Sequence, residues 1–350
     1  MPKITIIGTT SWGITLATIL ARNGRQVCLW ARTEQEAIEL TKAGPGSALT
    51  NSASFPAGLS ITSSLSDALT RAKIVILVVP SQRVRENTKL ISSHLSKSML
   101  IVSAAKGLEI GSGKRMSQII TEEIKPSLHS RICVLSGPNL SQEILSDLPA
   151  ATVVAAEDET VAREAQKLLT TPNLCVFTNT DVTGIELGSS FKNIIALGAG
   201  ITDGLGYGDN AKAALITRGL TEMTALGVAL GANPLTFAGL AGLGDLIATC
   251  ASPLSRNHYV GVELAKGHPL KEITDSMTGV SEGISTTLVV RNLAHQIEME
   301  MPITETIYRV LYEGADIHKS AAKLMEIEAA HELAGKKWKL FSTLRSRKRS

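Results

Sequence analysis

The chain has 350 residues, of which 44% are hydrophobic, 19% charged and 3% aromatic. That length suggests about two domains, each able to bury a core without disulfides or metals, and the few aromatic residues argue against a stacking surface for single-stranded nucleic acid. The net charge of +3 arises at one end: Lys336, Lys337, Lys339, Arg345, Arg347, Lys348 and Arg349 lie between Gly335 and Ser350 with no acid among them, so the remainder is net −4. Such a tail (335–350) can touch nucleic acid or anionic lipid, but a solvated terminus is the expected reading, and no nucleic-acid partner is expected. Cys28, Cys133, Cys175 and Cys250 are too scattered for a zinc cluster or a disulfide framework. The expectation is a metal-free protein of the reducing cytoplasm, with no signal peptide.

In chain order, Ile4–Ile7 is an apolar run ending at Gly8, followed by a helical pattern over Trp12–Asn23 and a second run at Val27–Trp30. Further runs follow at Ile74–Val79, Met99–Ser103, Ile132–Ser136, Ala151–Ala155 and Leu174–Phe177, separated by helix-length segments including Gln82–His94, Gly113–Ile124 and Glu159–Leu169. Short Val/Ile/Leu runs without polar alternation suit a sheet buried on both faces. Their alternation with helices predicts parallel βαβ units and a Rossmann-like, doubly wound α/β domain over residues 1–182. Beyond Thr180 the strand signal ends. Gly184–Gly204, Lys212–Gly231, Tyr259–Lys266, Ser285–Glu298 and Ala321–Leu333 read as helices, which predicts an all-α second domain over residues 183–334. Ala225–Gly244 is uncharged over a length that raises the question of a membrane span. Asn233-Pro234 near its middle favours two buried helical pieces meeting at a turn, and no span is expected.

The segment Gly8-Thr9-Thr10-Ser11-Trp12-Gly13 sits between the first strand and the first helix, the context of the dinucleotide fingerprint. Gly8 permits the tight turn, Gly13 lets helix and strand pack closely, and the helix N-terminus directs amides at a pyrophosphate. Thr10 stands at the middle glycine position, where its Cβ limits backbone approach and its hydroxyl is a potential phosphate donor. At the end of the second strand, where an acid commonly reads the ribose 2′-hydroxyl of NAD, the chain has Arg32, a partner for a 2′-phosphate. The cofactor expected is therefore NADP or NAD, with NADPH favoured.

Ligands of open parallel sheets bind beyond the carboxyl ends of the strands. Three segments stand there: Val79-Pro80-Ser81, Ser103 to Glu109 with Lys106, and Ser136-Gly137-Pro138-Asn139. Lys106 follows an apolar strand and can meet both the nicotinamide end and an anionic substrate. Lys192 is the single charge in Leu187–Thr202. A lysine so placed is buried for a reason, and desolvation lowers its pKa toward the range useful for proton transfer. Asp245, in a glycine-rich apolar setting, can orient the Lys192 ammonium or cap a helix. Thr249 lies four residues on, on the same helical face. Ser255-Arg256-Asn257 joins a hydroxyl, a guanidinium and an amide in a cradle suited to phosphate.

These motifs resemble, in order and over nearly the whole chain, the bacterial NAD(P)-dependent glycerol-3-phosphate dehydrogenases. The resemblance runs through Leu20-Ala21-Arg22-Asn23-Gly24, Lys106-Gly107-Leu108-Glu109, Ser136-Gly137-Pro138, Lys192-Asn193-Ile194-Ile195-Ala196, Ala241-Gly242-Leu243-Gly244-Asp245, Ser255-Arg256-Asn257, Val280-Ser281-Glu282-Gly283 and Met301-Pro302-Ile303-Thr304-Glu305. It implies reversible reduction of dihydroxyacetone phosphate to sn-glycerol 3-phosphate for phospholipid synthesis, and a homodimer. It implies that Lys192 is the proton donor and acceptor, assisted by Asp245 and Lys106. Lys106, Gly137, Asn139, Asp245, Ser255, Arg256 and Asn257 would line the substrate, with Lys106 and Arg256 also near the cofactor; Lys192 itself, and Thr249 by its helical spacing from Asp245, are expected beside the substrate too. Ser11, Trp12, Arg32, Ser141, Val280 and Glu282 would contact NAD(P)H beside Gly8 and Gly13. Thr10, Asn139 (where the family often has Thr or Ser) and the basic tail depart from the family pattern. The rival reading is a related 3-hydroxyacid or 6-phosphogluconate-type dehydrogenase. The Ser255-Arg256-Asn257 cradle and Asp245 favour a triose phosphate instead.

Overall fold

The computed structural model describes residues 3–44, 54–277 and 279–325. The first half runs β1 (Lys3–Ile7), α1 (Ser11–Arg22), β2 (Gln26–Trp30), α2 (Glu34–Ala43), β3 (Leu59–Thr62), α3 (Leu65–Leu69), β4 (Ala72–Leu77), α4 (Val84–Ile91), β5 (Leu100–Ser103), α5 (Met116–Glu123), β6 (Ile132–Ser136), α6 (Ser141–Leu145), β7 (Ala150–Ala155), α7 (Glu159–Leu169) and β8 (Leu174–Asn179). The strands join in one 8-stranded sheet of order β3-β2-β1-β4-β5-β6-β7-β8. β1 lies between β2 and β4, so successive crossovers leave it toward opposite edges and a crevice opens above its carboxyl end.

Both faces of the sheet are covered, which is why its strands lack polar alternation. On one face Leu16 and Leu20 of α1, Ile144 of α6 and Leu169 of α7 pack on Ile4, Ile6, Leu100 and Val102. On the other, Val84 and Ile91 of α4 and Met116 and Ile120 of α5 cover Ile7, Val75, Leu77 and Ile101. The first six strands are parallel, but β7 pairs with β6 antiparallel, with Val134 opposite Ala155, and β8 then runs parallel to β7. The expectation of parallel units throughout is thus corrected: the β6–β7 link holds only the short α6, and the chain turns back beside β6 without a crossover returning it to the same end. β3 was not anticipated, because Leu-Ser-Ile-Thr at a half-exposed edge carries little apolar signal.

Helices alone follow among the described residues: α8 (Val182–Gly204), α9 (Gly208–Ala229), α10 (Asp245–Ala251), α11 (Arg256–Ala265), α12 (Leu270–Ser276), α13 (Glu282–Gln296), α14 (Pro302–Tyr312) and α15 (Ile317–Met325). α8 is buried from Gly184 to Ile201 and forms the axis on which the others pack. Its contact with α11 is backbone to backbone. A Cβ on Gly200 would fall 2.0 Å from the His258 carbonyl oxygen, and one on Gly261 would fall 2.1 Å from that of Leu197. The helical half meets the sheet where Ile185 and Ala241 pack on Val134, Val153 and Ala155.

The uncharged stretch 225–244 breaks as its Asn-Pro pair predicts. α9 stops at Ala229, the Asn233 side chain accepts from the Leu235 amide to start a 3₁₀ turn over Pro234–Ala238, and a π turn follows over Leu240–Gly244. No described helix is long and apolar enough to cross a membrane. The helix expected over Ala321–Leu333 begins earlier, within α15, and its residues from 326 onward lie outside the described residues, as does the basic tail.

Candidate active site

The loop after β1 is built on two close approaches. Gly8 has φ +117, and a Cβ on it would fall 2.7 Å from the Val78 carbonyl oxygen. A Cβ on Gly13 would fall 2.2 Å from the Gly8 carbonyl oxygen, so only glycine allows α1 to start this near the strand. Thr10 is the N-cap of α1: its hydroxyl accepts from the Gly13 amide at 3.2 Å and donates to the Val78 carbonyl at 2.8 Å. The expectation that this hydroxyl serves a phosphate is therefore corrected, since its one proton is already given to β4's extension. Thr10 instead ties the loop to the sheet, and the helix N-terminus remains the anion-binding element. Ser11 is exposed, and the half-buried Trp12 keeps its indole N–H shielded with no partner. A narrow glycine turn, an open helix N-terminus and an unpaired indole donor fit a dinucleotide.

Across the crevice, three segments meet at one carboxylate. Asp245 opens α10, with its side chain 3% exposed. Its Oδ1 lies 2.9 Å from Lys192 Nζ and its Oδ2 lies 2.6 Å from Lys106 Nζ. Lys106, in the loop after β5, also donates to the Gly137 carbonyl at 2.8 Å, joining the ends of β5 and β6. Lys192 projects from the middle of α8 and donates to Thr249 Oγ1 at 2.6 Å; its side chain is 7% exposed, against 18% for Lys106. Thr249 closes the ring by hydrogen bonding Asp245 at both the carbonyl oxygen and Oδ1. Asp245 does not act as a helix cap, which settles the alternative in favour of its orienting Lys192.

The charges explain why two ammonium groups tolerate this burial. Desolvation pushes Lys192 down to about 8, with Lys106 adding to the shift and Asp245 opposing it. Burial alone would raise the Asp245 carboxyl, but Lys106 and Lys192 together hold it below the ordinary range. Lys192 is thus an amine whose proton is labile near neutral pH, held in one orientation by a carboxylate and a hydroxyl.

Beside this ring, Asn257 of α11 donates to Asn193 Oδ1 at 2.8 Å, and its own Oδ1 accepts from Ser281 Oγ at 2.7 Å and the Gly283 amide at 2.9 Å. Ser255 is buried and its hydroxyl caps α11 by accepting from the His258 amide, so only its proton is free for a ligand. Arg256 is exposed at the start of α11 with no ion pair among the described residues. Glu282, first residue of α13, accepts from the Ser81 amide at 2.9 Å and Ser81 Oγ at 2.5 Å, bridging the helical half to the loop after β4. Packing around that carboxyl raises its pKa against the pull of the two Ser81 bonds. Asn139 donates to Thr152 Oγ1 at 3.2 Å and leaves its shielded Oδ1 without a partner.

The sequence-predicted residues therefore fall into groups. Lys106, Gly137, Lys192, Asp245 and Thr249 share one hydrogen-bonded ring, and Asn257 joins Asn193. Gly8 and Gly13 shape the dinucleotide loop. Ser141 starts the short α6, Val280 is exposed before α13, and Arg32 is exposed at the end of β2; none of the three is tied to the ring. Reasoning from sequence missed Ser81 as the partner of Glu282, because they lie 201 positions apart. It also missed Asn193 as a partner of Asn257, although its place next to Lys192 was a usable signal.

Comparison with known proteins agrees with this architecture. Residues 3–162 match the family model of the NAD-dependent glycerol-3-phosphate dehydrogenase N-terminus, and residues 181–322 that of its C-terminus. The chain is 60% identical over 349 residues to a glycerol-3-phosphate dehydrogenase (NAD(P)+) of Dehalococcoides mccartyi, covering 99% of this chain and 97% of the relative. It is 43% identical to the enzyme of that name from Enterococcus faecalis, over 92% of this chain and 95% of the relative. A crystal structure of glycerol-3-phosphate dehydrogenase from Coxiella burnetii superposes with a TM-score of 0.87 at 35% identity, covering 93% of this chain and 99% of that one. The chain belongs to the NAD(P)-dependent glycerol-3-phosphate dehydrogenase family.

Proposed function

We propose that the ring around Asp245 is the catalytic centre for the reversible reduction of dihydroxyacetone phosphate to sn-glycerol 3-phosphate. The observation that carries this reading is Lys192: a buried amine, with its pKa pushed down to about 8, fixed between Asp245 and Thr249 at the mouth of a dinucleotide crevice. A nicotinamide dinucleotide held at the Gly8–Gly13 loop would supply hydride-transfer chemistry for the ketone carbon. Lys192 as ammonium gives its proton to the ketone oxygen, and in the reverse direction the neutral amine takes that proton from the alcohol. Asp245 holds both lysines so that neither must reorganise during the step. Lys106, tied to Gly137, places a second cation beside the substrate's oxygens. Arg256, Asn257 and the free proton of Ser255 form the phosphate cradle, and Asn139 Oδ1 is the acceptor for a substrate hydroxyl. Ser11, Trp12, Ser141, Val280 and Glu282 border the cofactor, and Arg32 favours NADPH by meeting its 2′-phosphate.

In the same reading, residues 1–182 form the dinucleotide-binding unit and 183–334 the substrate-binding one, the protein works in the cytoplasm as a homodimer, and its product feeds glycerophospholipid synthesis. The test is oxidation of NADPH and NADH followed by absorbance with dihydroxyacetone phosphate as acceptor. Cofactor oxidation that depends on the triose phosphate is expected, and its absence with both cofactors would refute the assignment.

A further inference from the structure

We infer that Glu36 is a second determinant of cofactor choice, acting against Arg32 and keeping NADH usable; this rests on the reading of Arg32 as a 2′-phosphate partner. In dinucleotide-binding sheets the adenine ribose is read at the carboxyl end of the second strand, usually by an acid there. β2 instead ends at Trp30 and is followed by Ala31 and Arg32, a loop that lacks that acid. The carboxylate arrives from the next helix. Glu36 is the third residue of α2, whose N-cap Thr33 accepts from the Glu36 amide at 3.1 Å. In a capping box the glutamate would fold back onto the cap's own amide. Here Glu36 Oε2 accepts from the Arg32 amide at 2.8 Å, and Oε1 accepts from the hydroxyl of Thr9 in the glycine loop. One half-buried carboxylate therefore bridges the two segments that flank a ribose site.

The neighbouring acids do not share this position. Glu34 is exposed, and Glu39 pairs with Gln35 along the helix. Arg32 is exposed and makes no ion pair among the described residues, so it does not neutralise Glu36 through a direct contact. The consequences for the two cofactors are opposite. A ribose 2′-hydroxyl can donate to the Glu36 carboxylate, a charge-assisted bond. A 2′-phosphate would find the Arg32 guanidinium, but the Glu36 charge beside it would repel it and already holds the Arg32 amide. Arg32 and Glu36 thus pull in opposite directions, and the pair produces dual cofactor use where either alone would be selective.

The experiment is calorimetric titration of the full-length protein with NADPH and with NADH, comparing wild type, Glu36→Gln, Glu36→Ala and Arg32→Ala. Both Glu36 variants are expected to weaken NADH and to leave NADPH equal or tighter, moving the ratio of dissociation constants about tenfold toward NADPH. A bridge of purely structural value would weaken both cofactors alike. An unchanged ratio, or one moved toward NADH, in whichever variant retains a wild-type melting transition overturns the inference. Arg32→Ala separates the two readings: failure to lose NADPH selectively refutes the role of Arg32, whereas the inference about Glu36 stands or falls on the ratio in its own variants.

Discussion

At the scale of single residues, the chemistry rests on one proton. In the mechanism proposed above, reduction uses the ammonium form of Lys192 and oxidation uses the amine. With the group pushed down to about 8 in the free protein, kcat/KM for the ketone should fall as pH rises through that value. In the same interval kcat/KM for the alcohol should rise. A pH profile flat from neutral to strongly alkaline would contradict the assignment. Asp245 opposes the desolvation of Lys192, so Asp245→Asn should move the break to lower pH as well as slow turnover; an upward move would mean that the carboxylate does not act on Lys192. Much of this was legible in the sequence, because a single charge in a sixteen-residue apolar stretch has few explanations. Thr10 was not legible, because its hydroxyl is spent on Val78, a partner 68 positions away. Glu36 looked like an ordinary helix-start acid, since nothing local indicates that its carboxylate turns to the glycine loop.

At the scale of elements, spacing revealed the strands and helices that are fully buried or sharply capped. It does not reveal strand direction, because an all-apolar strand looks alike run either way, so alternation with helices alone predicts a parallel β7. The glycine loop offers the sharpest test at this level. Gly13→Ala places a methyl group 2.2 Å from the Gly8 carbonyl oxygen, so α1 must shift off β1. A loss of about 1–3 kcal/mol in unfolding free energy is expected from such overpacking, together with weaker binding of both NADPH and NADH. Thermal or denaturant melts and titration measure the two effects separately. Wild-type values for both would show that the close approach is not needed.

At the scale of the whole molecule, the active site exists only while the helical half stays registered on the sheet. Besides the Ile185 and Ala241 contacts and the Glu282–Ser81 and Asp245–Lys106 bonds, a further buried carboxylate makes that connection. Glu186 of α8 accepts from the Ser117 amide at 2.7 Å and its hydroxyl at 2.6 Å, and pairs with Arg115 at the start of α5. Removing it in Glu186→Ala leaves those donors without a partner, at a cost of about 3 kcal/mol in denaturant unfolding; a change below experimental error would contradict that role. Two domains were legible from the point where strand signals stop, but the seam between them was not, because Arg115 and Glu186 are unremarkable until the fold brings them together. Whether Lys192 carries the proton of a triose phosphate reductase is tested by one paired measurement. Reduction of dihydroxyacetone phosphate by NAD(P)H is followed in wild type and Lys192→Ala, with cofactor binding measured in both. Turnover is expected in the wild type, with a loss of about 10²–10⁴-fold in the variant and cofactor affinity nearly unchanged. Turnover preserved in Lys192→Ala would contradict that role.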